Sequence, residues 1–289
     1  MKQEQPYVER VVQVEDGLAM AYRVYGDDRR DRLPLLCLTG LTRNAKDFDA
    51  VGRRYGAGRR VLCPDWRGRG KSGHDPNYQN YSPPIYARDV LALMAAENIG
   101  RAVIIGTSLG GLVAMGLAAG VPAMIAGVVL NDIGPVVSED GRKRIAEYVG
   151  RDVRFPDLPT AAAALKQQFG KAYPDLSPEG WLAQAENTFV RDEAAGNWRL
   201  DYDLKLGDAV REQAGGPIPN LWPLFAALKP VPTLVIHGAL SDVLDQPTIE
   251  RMLAEKPDLL LCTVPNRGHV PLLDEPEAQG ALDDFIQRF

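Results

Sequence analysis

Residues 103–111 read VIIGTSLGG, and this stretch decides the fold. Its apolar, mostly β-branched beginning is typical of a buried strand. Ser108 follows, flanked by Gly106 and Gly110, and the apolar residues from Leu112 onward favour a buried helix. A Gly-x-Ser-x-Gly sequence between a strand and a helix is the pattern of a sharp, strained turn that exposes a serine hydroxyl at the carboxyl end of the strand. Five residues can also match by chance, so the partners of Ser108 must support the interpretation.

Strand-like and helix-like segments alternate on both sides of this stretch. We predict strands at residues 10–14, 18–25, 35–38, 60–63, 103–106, 126–130, 233–236 and 259–264. The first two flank Asp16-Gly17 and form a hairpin. Helices are predicted at residues 44–55, from the cap Ser82 onward, from Leu112 onward, at 246–254 and at 276–289. Strands that alternate with helices predict an α/β fold with a mostly parallel eight-stranded sheet covered on both faces.

The segment at residues 135–228 differs from the rest of the chain. Its strand-like runs disappear, and helical patterns dominate near residues 139–148, 160–169 and 177–190. We predict a core domain made of residues 1–134 and 229–289, with residues 135–228 inserted as a helical cap between the sixth and seventh strands. The cap would lie over the carboxyl edge of the sheet, where open α/β sheets bind ligands. Trp181, Trp198 and Trp222 lie in it and are candidates either for substrate binding or for the core of the cap itself.

Composition excludes several classes of protein. The 289 residues are 45% hydrophobic and 25% charged, as in ordinary globular proteins, and the net charge of −5 argues against a nucleic-acid partner. The uncharged run at residues 102–130 contains Pro122 and several glycines, so we interpret it as sheet and helix rather than as a membrane span. MKQEQPYVER, at residues 1–10, lacks the apolar core of a signal peptide. We expect a cytoplasmic monomer or homodimer that does not bind membranes.

The three cysteines, Cys37, Cys63 and Cys262, fall in apolar strand-like runs without CxxC spacing. We therefore expect buried free thiols, as in a reducing compartment.

A serine hydroxyl needs a base to act as a nucleophile near neutral pH. The chain has three histidines. His269 lies in PNRGHVP after the last strand, beside a glycine, and is the predicted base. For His237, at the end of the seventh strand, packing or hydrogen bonding is the favoured interpretation. His74 is expected to lie in a surface loop.

The base in turn needs an anion to orient it. Asp242 follows the seventh strand in HGALSD and is the predicted partner of His269, giving the chain order Ser, Asp, His. Asp132, after the sixth strand, is the alternative, and Asp245 is a weaker one. The backbone amides of Leu41, after Thr39-Gly40, and of Leu109 are predicted to form an oxyanion hole.

These residues together resemble the α/β-hydrolase superfamily over essentially the whole chain. The similar segments are GTSLGG at residues 106–111, DWRGRGKSG at 65–73, HGALSD at 237–242 and GHVP at 268–271. By the same resemblance, residues 65–73 are structural. Members of this type usually carry His-Gly where this chain has Thr39-Gly40. Because the donor there is a backbone amide, we expect its function to survive.

The resemblance is to capped members such as esterases, lactonases and carbon–carbon bond hydrolases. It implies a serine hydrolase that cleaves a small carboxylic ester or lactone without metal or cofactor. A serine rather than an aspartate at position 108 argues against haloalkane or epoxide hydrolysis. Two alternatives stay open: a carbon–carbon bond hydrolase of ring-cleavage products, and a ligand sensor with negligible turnover.

Overall fold

The computed structural model describes residues 6–27, 31–214 and 219–289, which form eleven strands. In chain order they are β1 (Tyr7–Gln13), β2 (Ala19–Tyr25), β3 (Leu35–Leu38), β4 (Val61–Pro64), β5 (Ala102–Thr107), β6 (Ile125–Asn131), β7 (Arg154–Phe155), β8 (Phe189–Asp192), β9 (Asn197–Leu200), β10 (Thr233–Gly238) and β11 (Leu260–Val264). Eight of them make one sheet in the order β1-β2-β4-β3-β5-β6-β10-β11. β2 pairs antiparallel with β1 and β4, and the other neighbours are parallel. The prediction of a mostly parallel eight-stranded sheet is confirmed.

Helices cover both faces of this sheet, and further helices lie in the segment between β6 and β10. They are α1 (Asp49–Gly56), α2 (Pro83–Ala96), α3 (Leu109–Gly120), α4 (Glu139–Tyr148), α5 (Leu158–Phe169), α6 (Pro178–Thr188), α7 (Leu206–Ala214), α8 (Trp222–Ala226), α9 (Gln246–Glu255) and α10 (Pro276–Ile286). The helix predicted at 44–55 begins as a 3₁₀ turn, Ala45–Phe48, before α1. Among the described helices, none combines the length and the apolar character that crossing a membrane would require.

The alternation of side chains along β5 explains why the sheet has a core on each face. Ala102 and Ile104 belong to an apolar cluster with α2, α3 and α9, whereas Val103 and Ile105 belong to one with α1 and α10. Successive residues of a strand point to opposite faces, so a continuous apolar run is buried on both sides. The three cysteines carry free thiols; Cys37 and Cys63 are buried as predicted, whereas Cys262 is only half-buried.

The chain between β6 and β10 contains α4 to α8 and a three-stranded sheet of order β7-β9-β8. The sequence patterns predicted only helices here, so the prediction missed these strands. They have two to four residues each, and β8 (FVRD) and β9 (NWRL) are too short and too polar to alternate clearly. A third apolar cluster, which includes Leu165, Trp181 and Phe189, lies within this segment. The division of the chain at residues 135 and 228 stays a prediction.

Candidate active site

Ser108 lies at a strained turn between β5 and α3. Its backbone has φ 50° and ψ −113°, a conformation that residues other than glycine rarely adopt. The flanking glycines are required by close contacts. A Cβ on Gly106 would lie 2.5 Å from the carbonyl oxygen of Gly110, and a Cβ on Gly110 would lie 2.1 Å from that of Leu38. The turn predicted from Gly-x-Ser-x-Gly is therefore present, with Ser108 at the carboxyl end of β5.

A continuous chain of hydrogen bonds connects Ser108 to a buried carboxylate. Ser108 Oγ lies 2.9 Å from His269 Nε2, and His269 Nδ1 lies 2.7 Å from Asp132 Oδ2. The two ring nitrogens of His269 thus contact the hydroxyl and the carboxylate at the same time. This arrangement requires a proton on Nδ1 and leaves Nε2 free to accept the proton of Ser108.

Hydrogen-bond donors hold the buried carboxylate of Asp132 as an anion. Asp132 directly follows β6, it is fully buried, and its backbone N–H donates to the carbonyl of Ile236 at 2.7 Å. The backbone N–H of Gly238 donates to Oδ1 at 2.9 Å, and the hydroxyl of Ser241 donates to Oδ2 at 2.5 Å. Burial by itself raises the pKa of Asp132, but hydrogen bonds from His237, His269 and Ser241 outweigh burial and hold the pKa below its usual value.

The structure corrects the prediction that Asp242 is the partner of His269. Asp242 is an exposed residue whose carboxylate pairs with both Nε and Nη2 of Arg144 on α4. The preceding residue, Ser241, is the one that turns inward, and its hydroxyl contacts Asp132. Asp245 caps α9, accepting a hydrogen bond from the N–H of Thr248 at 2.9 Å. The alternative named from the sequence, Asp132, occupies the position.

The other two histidines lie where the sequence suggested. His237 is the next-to-last residue of β10 with only 8% of its surface exposed, and its Nδ1 lies 3.2 Å from Oδ1 of Asp132. It supports the carboxylate rather than the serine. His74 is more than half exposed and lies 3.7 Å from a carboxylate oxygen of Asp203.

The loop after β3 borders Ser108. Gly40 and Leu41 line the same cavity as Ser108, and a Cβ on Gly40 would lie 3.9 Å from that of Ser108. Two side chains from the loop after β4 hold this segment: Trp66 Nε1 donates to the Thr39 carbonyl at 3.0 Å, and Arg69 Nε donates to the Leu41 carbonyl at 2.9 Å. These bonds supply an anchor without a histidine at position 39. Leu109 is the first residue of α3, and a helix N-terminus favours negative charge.

A cavity of about 970 Å³ opens beside Ser108 and His269. Trp181 lines it, as expected for a substrate-binding residue, but among the described residues Trp198 and Trp222 are not part of its lining. Trp198 packs on the apolar cluster of α5 and α6, and the centroid of the Trp222 ring lies 3.6 Å from the guanidinium carbon of Arg251.

Tyr148 and Tyr173 also line the cavity, and the sequence patterns did not identify them. No motif marks these tyrosines, since their contacts depend on how distant segments pack.

Within the described residues, no cluster of three or more histidine, cysteine, aspartate or glutamate side chains is arranged to hold a metal ion.

Known proteins resemble this chain over most of its length. A sequence model of the alpha/beta hydrolase family matches residues 35–281. A 3-hydroxybutyrate-oligomer hydrolase from Cupriavidus necator is 35% identical over 92% of each chain, and an esterase from Mycobacterium tuberculosis is 29% identical over 96% of this chain and 90% of its own. The crystal structure of an alpha/beta hydrolase from Novosphingobium aromaticivorans is 42% identical and covers 99% of this chain and all of its own, with a TM-score of 0.94.

Proposed function

Because the chain belongs to the alpha/beta hydrolase family and is an enzyme of the hydrolase class, we propose that it cleaves a small carboxylic ester or lactone through Ser108, His269 and Asp132. The observation that carries this proposal is the hydrogen-bond chain of 2.9 Å and 2.7 Å from Ser108 to Asp132. A nucleophile, a base and an orienting anion at such distances are what acyl transfer requires.

The proposed reaction begins with attack of Ser108 Oγ on the substrate carbonyl carbon. His269 Nε2 takes the hydroxyl proton as the new C–O bond forms, and the carbonyl oxygen becomes an oxyanion. The backbone N–H groups of Leu41 and Leu109 donate to this oxyanion; each donor of this kind stabilises the transition state by about 3–4 kcal/mol. His269 then gives its proton to the departing alcohol oxygen. A water molecule, deprotonated by His269, then attacks the acyl carbon. The bond from this carbon to Ser108 Oγ breaks, His269 returns the proton to Oγ, and the acid is released.

Asp132 serves this cycle by staying ionised. Its lowered pKa keeps the carboxylate negative while His269 carries the transferred proton, so the imidazolium forms beside a fixed anion. Each carboxylate oxygen has an additional partner, Gly238 N–H on Oδ1 and the Ser241 hydroxyl on Oδ2. These bonds prevent Asp132 from rotating away when His269 changes charge.

The substrate class is proposed from the cavity and from the relative in Cupriavidus necator described above. The cavity volume of about 970 Å³ is near the upper end of the range for small-molecule sites. Its wall combines apolar side chains such as Phe155, Leu165 and Phe169 with polar groups such as Tyr173 and Arg43. The relative from Cupriavidus necator is named for an oligomer of a hydroxy acid. A short hydroxyacyl ester or its oligomer is therefore the first substrate to test.

We also propose residues 135–228 as a cap over this cavity. Residues from this segment, including Tyr148, Phe169 and Trp181, line the cavity together with Ser108 and His269 of the remaining chain. A wall built in this way excludes water from the reacting groups and strengthens the electrostatic interactions among them.

The proposal is tested by trapping and by turnover. A fluorophosphonate should add to Ser108 of the wild-type protein, as located by peptide mass spectrometry, and Ser108→Ala should abolish both labelling and hydrolysis of p-nitrophenyl butyrate and 3-hydroxybutyrate dimer. Ser82→Ala is the control, since Ser82 precedes α2 away from the cavity and its side chain forms no cap hydrogen bond. Full activity of Ser108→Ala would refute the assignment. Labelling without ester turnover would favour a ligand sensor. Turnover of diketone acids but not of esters would favour a carbon–carbon bond hydrolase.

A further inference from the structure

A turn between α5 and α6 contacts the loop that carries His269. We call residues 172–175 the clamp turn and residues 266–270 the base loop. The backbone N–H of Gly268 donates to the carbonyl of Ala172 at 2.6 Å. A Cβ on Gly268 would lie only 2.6 Å from that of Ala172, so the two backbones are as close as a glycine permits. The clamp turn therefore fixes the residue immediately before His269.

Tyr173 of the clamp turn fixes the residue immediately after His269. Its hydroxyl donates to the carbonyl of Val270 at 2.9 Å and accepts from the N–H of the same residue at 2.8 Å. Burial raises the pKa of Tyr173 well above its usual value, so the hydroxyl keeps the proton that it donates. One side chain thus satisfies both backbone polar groups of Val270.

A charged contact extends the same interface outward. The Asp175 carboxylate pairs with the guanidinium of Arg267, and Asn266 Nδ2 donates to Asp175 Oδ2 at 3.2 Å. Arg267 Nε also donates to Glu275 Oε1 at 2.7 Å, which joins the base loop to the residue before α10. The clamp turn therefore contacts the base loop on both sides of His269, and the central contact is the Tyr173 hydroxyl.

We propose that Tyr173 is a positioning residue for the base: its hydroxyl holds the Val270 backbone so that the His269 ring meets Ser108 and Asp132 at once. This inference rests on the proposed role of His269. The imidazole must satisfy two partners on opposite sides, at 2.9 Å and 2.7 Å, and misplacement by about 1 Å can reduce a rate by about 100-fold. A side chain of the inserted segment thereby takes part in setting the catalytic geometry, in addition to lining the cavity.

The test is Tyr173→Phe, which removes the hydroxyl and keeps the ring that lines the cavity. We expect kcat for p-nitrophenyl butyrate and the second-order rate of fluorophosphonate labelling to fall by about 10- to 100-fold, with KM changed by less than about threefold. Tyr55→Phe is the matched control. The Tyr55 hydroxyl donates to Asp283 Oδ1 at 2.8 Å, and Tyr55 is half-buried like Tyr173 but lies on α1, outside the cavity lining. The Tyr55→Phe variant should keep the wild-type rates, and its Tm should be similar to that of Tyr173→Phe.

Proton NMR separates positioning from a general loss of stability. The Nδ1 proton of His269, hydrogen-bonded to Asp132, should give a far-downfield resonance in wild type and in Tyr55→Phe. It should broaden or disappear in Tyr173→Phe, because the ring then exchanges between orientations. Wild-type labelling rates and an unchanged resonance in a folded Tyr173→Phe protein would overturn the inference and leave the proposed function intact. A wild-type protein that neither labels nor turns over esters would overturn both.

Discussion

At the scale of single residues, the turn at Ser108 depends on the absence of side chains at its neighbours. Both flanking glycines face backbone atoms at distances that no Cβ tolerates, 2.5 Å for Gly106 and 2.1 Å for Gly110. The contact between Gly106 and Gly110 lies within the five-residue sequence, which is why Gly-x-Ser-x-Gly predicts the turn, whereas the contact of Gly110 with Leu38 joins the turn to β3. The strained φ of 50° at Ser108 follows from the same geometry.

Gly110→Ala should therefore be strongly destabilising, while Gly116→Ala, on the same helix, should not. A Cβ at position 110 meets the Leu38 carbonyl, and overpacking of this kind costs about 2 kcal/mol or more. A Cβ at position 116 meets no atom of the described residues within 4 Å, and replacing a helical glycine by alanine gains about 0.5–1 kcal/mol. Urea denaturation followed by circular dichroism measures both. Equal unfolding free energies for the two variants would contradict the steric argument.

The acidic partner of His269 could not be predicted from single residues and their positions in the sequence. Asp132 and Asp242 both follow strands whose carboxyl ends meet at one edge of the sheet, so position along the chain favours neither. Two side-chain directions decide between them: Ser241 turns inward to Asp132, and Arg144, from a helix far away in sequence, binds Asp242 at the surface. The serine and the base were predictable because their local sequences are distinctive, whereas this choice depends on tertiary contacts.

At the scale of elements, the loop after β3 is held by the loop after β4. Trp66 and Arg69 donate to backbone carbonyls on either side of Gly40, next to the proposed oxyanion donor Leu41. The resemblance implied a structural role for residues 65–73. These two hydrogen bonds explain that role, because they hold the loop after β3 in place.

Trp66→Phe should lower kcat by about tenfold because it frees the loop that carries Leu41. It should also destabilise the fold by about 1–3 kcal/mol, since the buried Thr39 carbonyl loses its donor. Steady-state kinetics corrected by active-site titration separates the two effects. The control is Trp222→Phe, the same substitution at a half-buried ring outside the cavity lining, which should retain kcat. A normal kcat for Trp66→Phe would argue that the loop does not need this anchor.

Strand prediction succeeded in the main sheet and failed between β6 and β10, for reasons that belong to this scale. Strands such as β5 and β6 are buried on both faces, so their apolar runs are unambiguous. The short strands β7, β8 and β9 are partly exposed and carry charged residues, so their sequences resemble loops or the ends of helices. The helix predicted at 177–190 accordingly included the first two residues of β8.

At the scale of the whole molecule, the residues that the structure describes form three apolar clusters, two against the main sheet and one within the segment between β6 and β10. Clusters separated in this way can open separately. No sequence pattern predicts how the third cluster sits on the main sheet, because the contacts join residues about 100 positions apart, as between Tyr173 and Val270.

Trp181→Ala should unfold part of the inserted segment and leave the main sheet intact. Trp181 is 4% exposed in the third cluster, and truncating such a side chain costs about 3–5 kcal/mol. Hydrogen exchange followed by mass spectrometry should show lost protection in α5 and α6 and unchanged protection in β5 and β6. A uniform loss across all four elements would mean that the molecule unfolds as one unit.

The central claim is that Asp132, and not Asp242, completes the site with Ser108 and His269. The most direct test is kcat/KM for p-nitrophenyl butyrate in Asp132→Asn and Asp242→Asn, two variants with the same chemical change. The geometry predicts a loss of about 10³- to 10⁴-fold for Asp132→Asn, because the amide favours the wrong tautomer of His269. It predicts a change of less than about twofold for Asp242→Asn, whose partner is Arg144 at the surface. A large loss in Asp242→Asn with near-normal activity in Asp132→Asn would contradict the account.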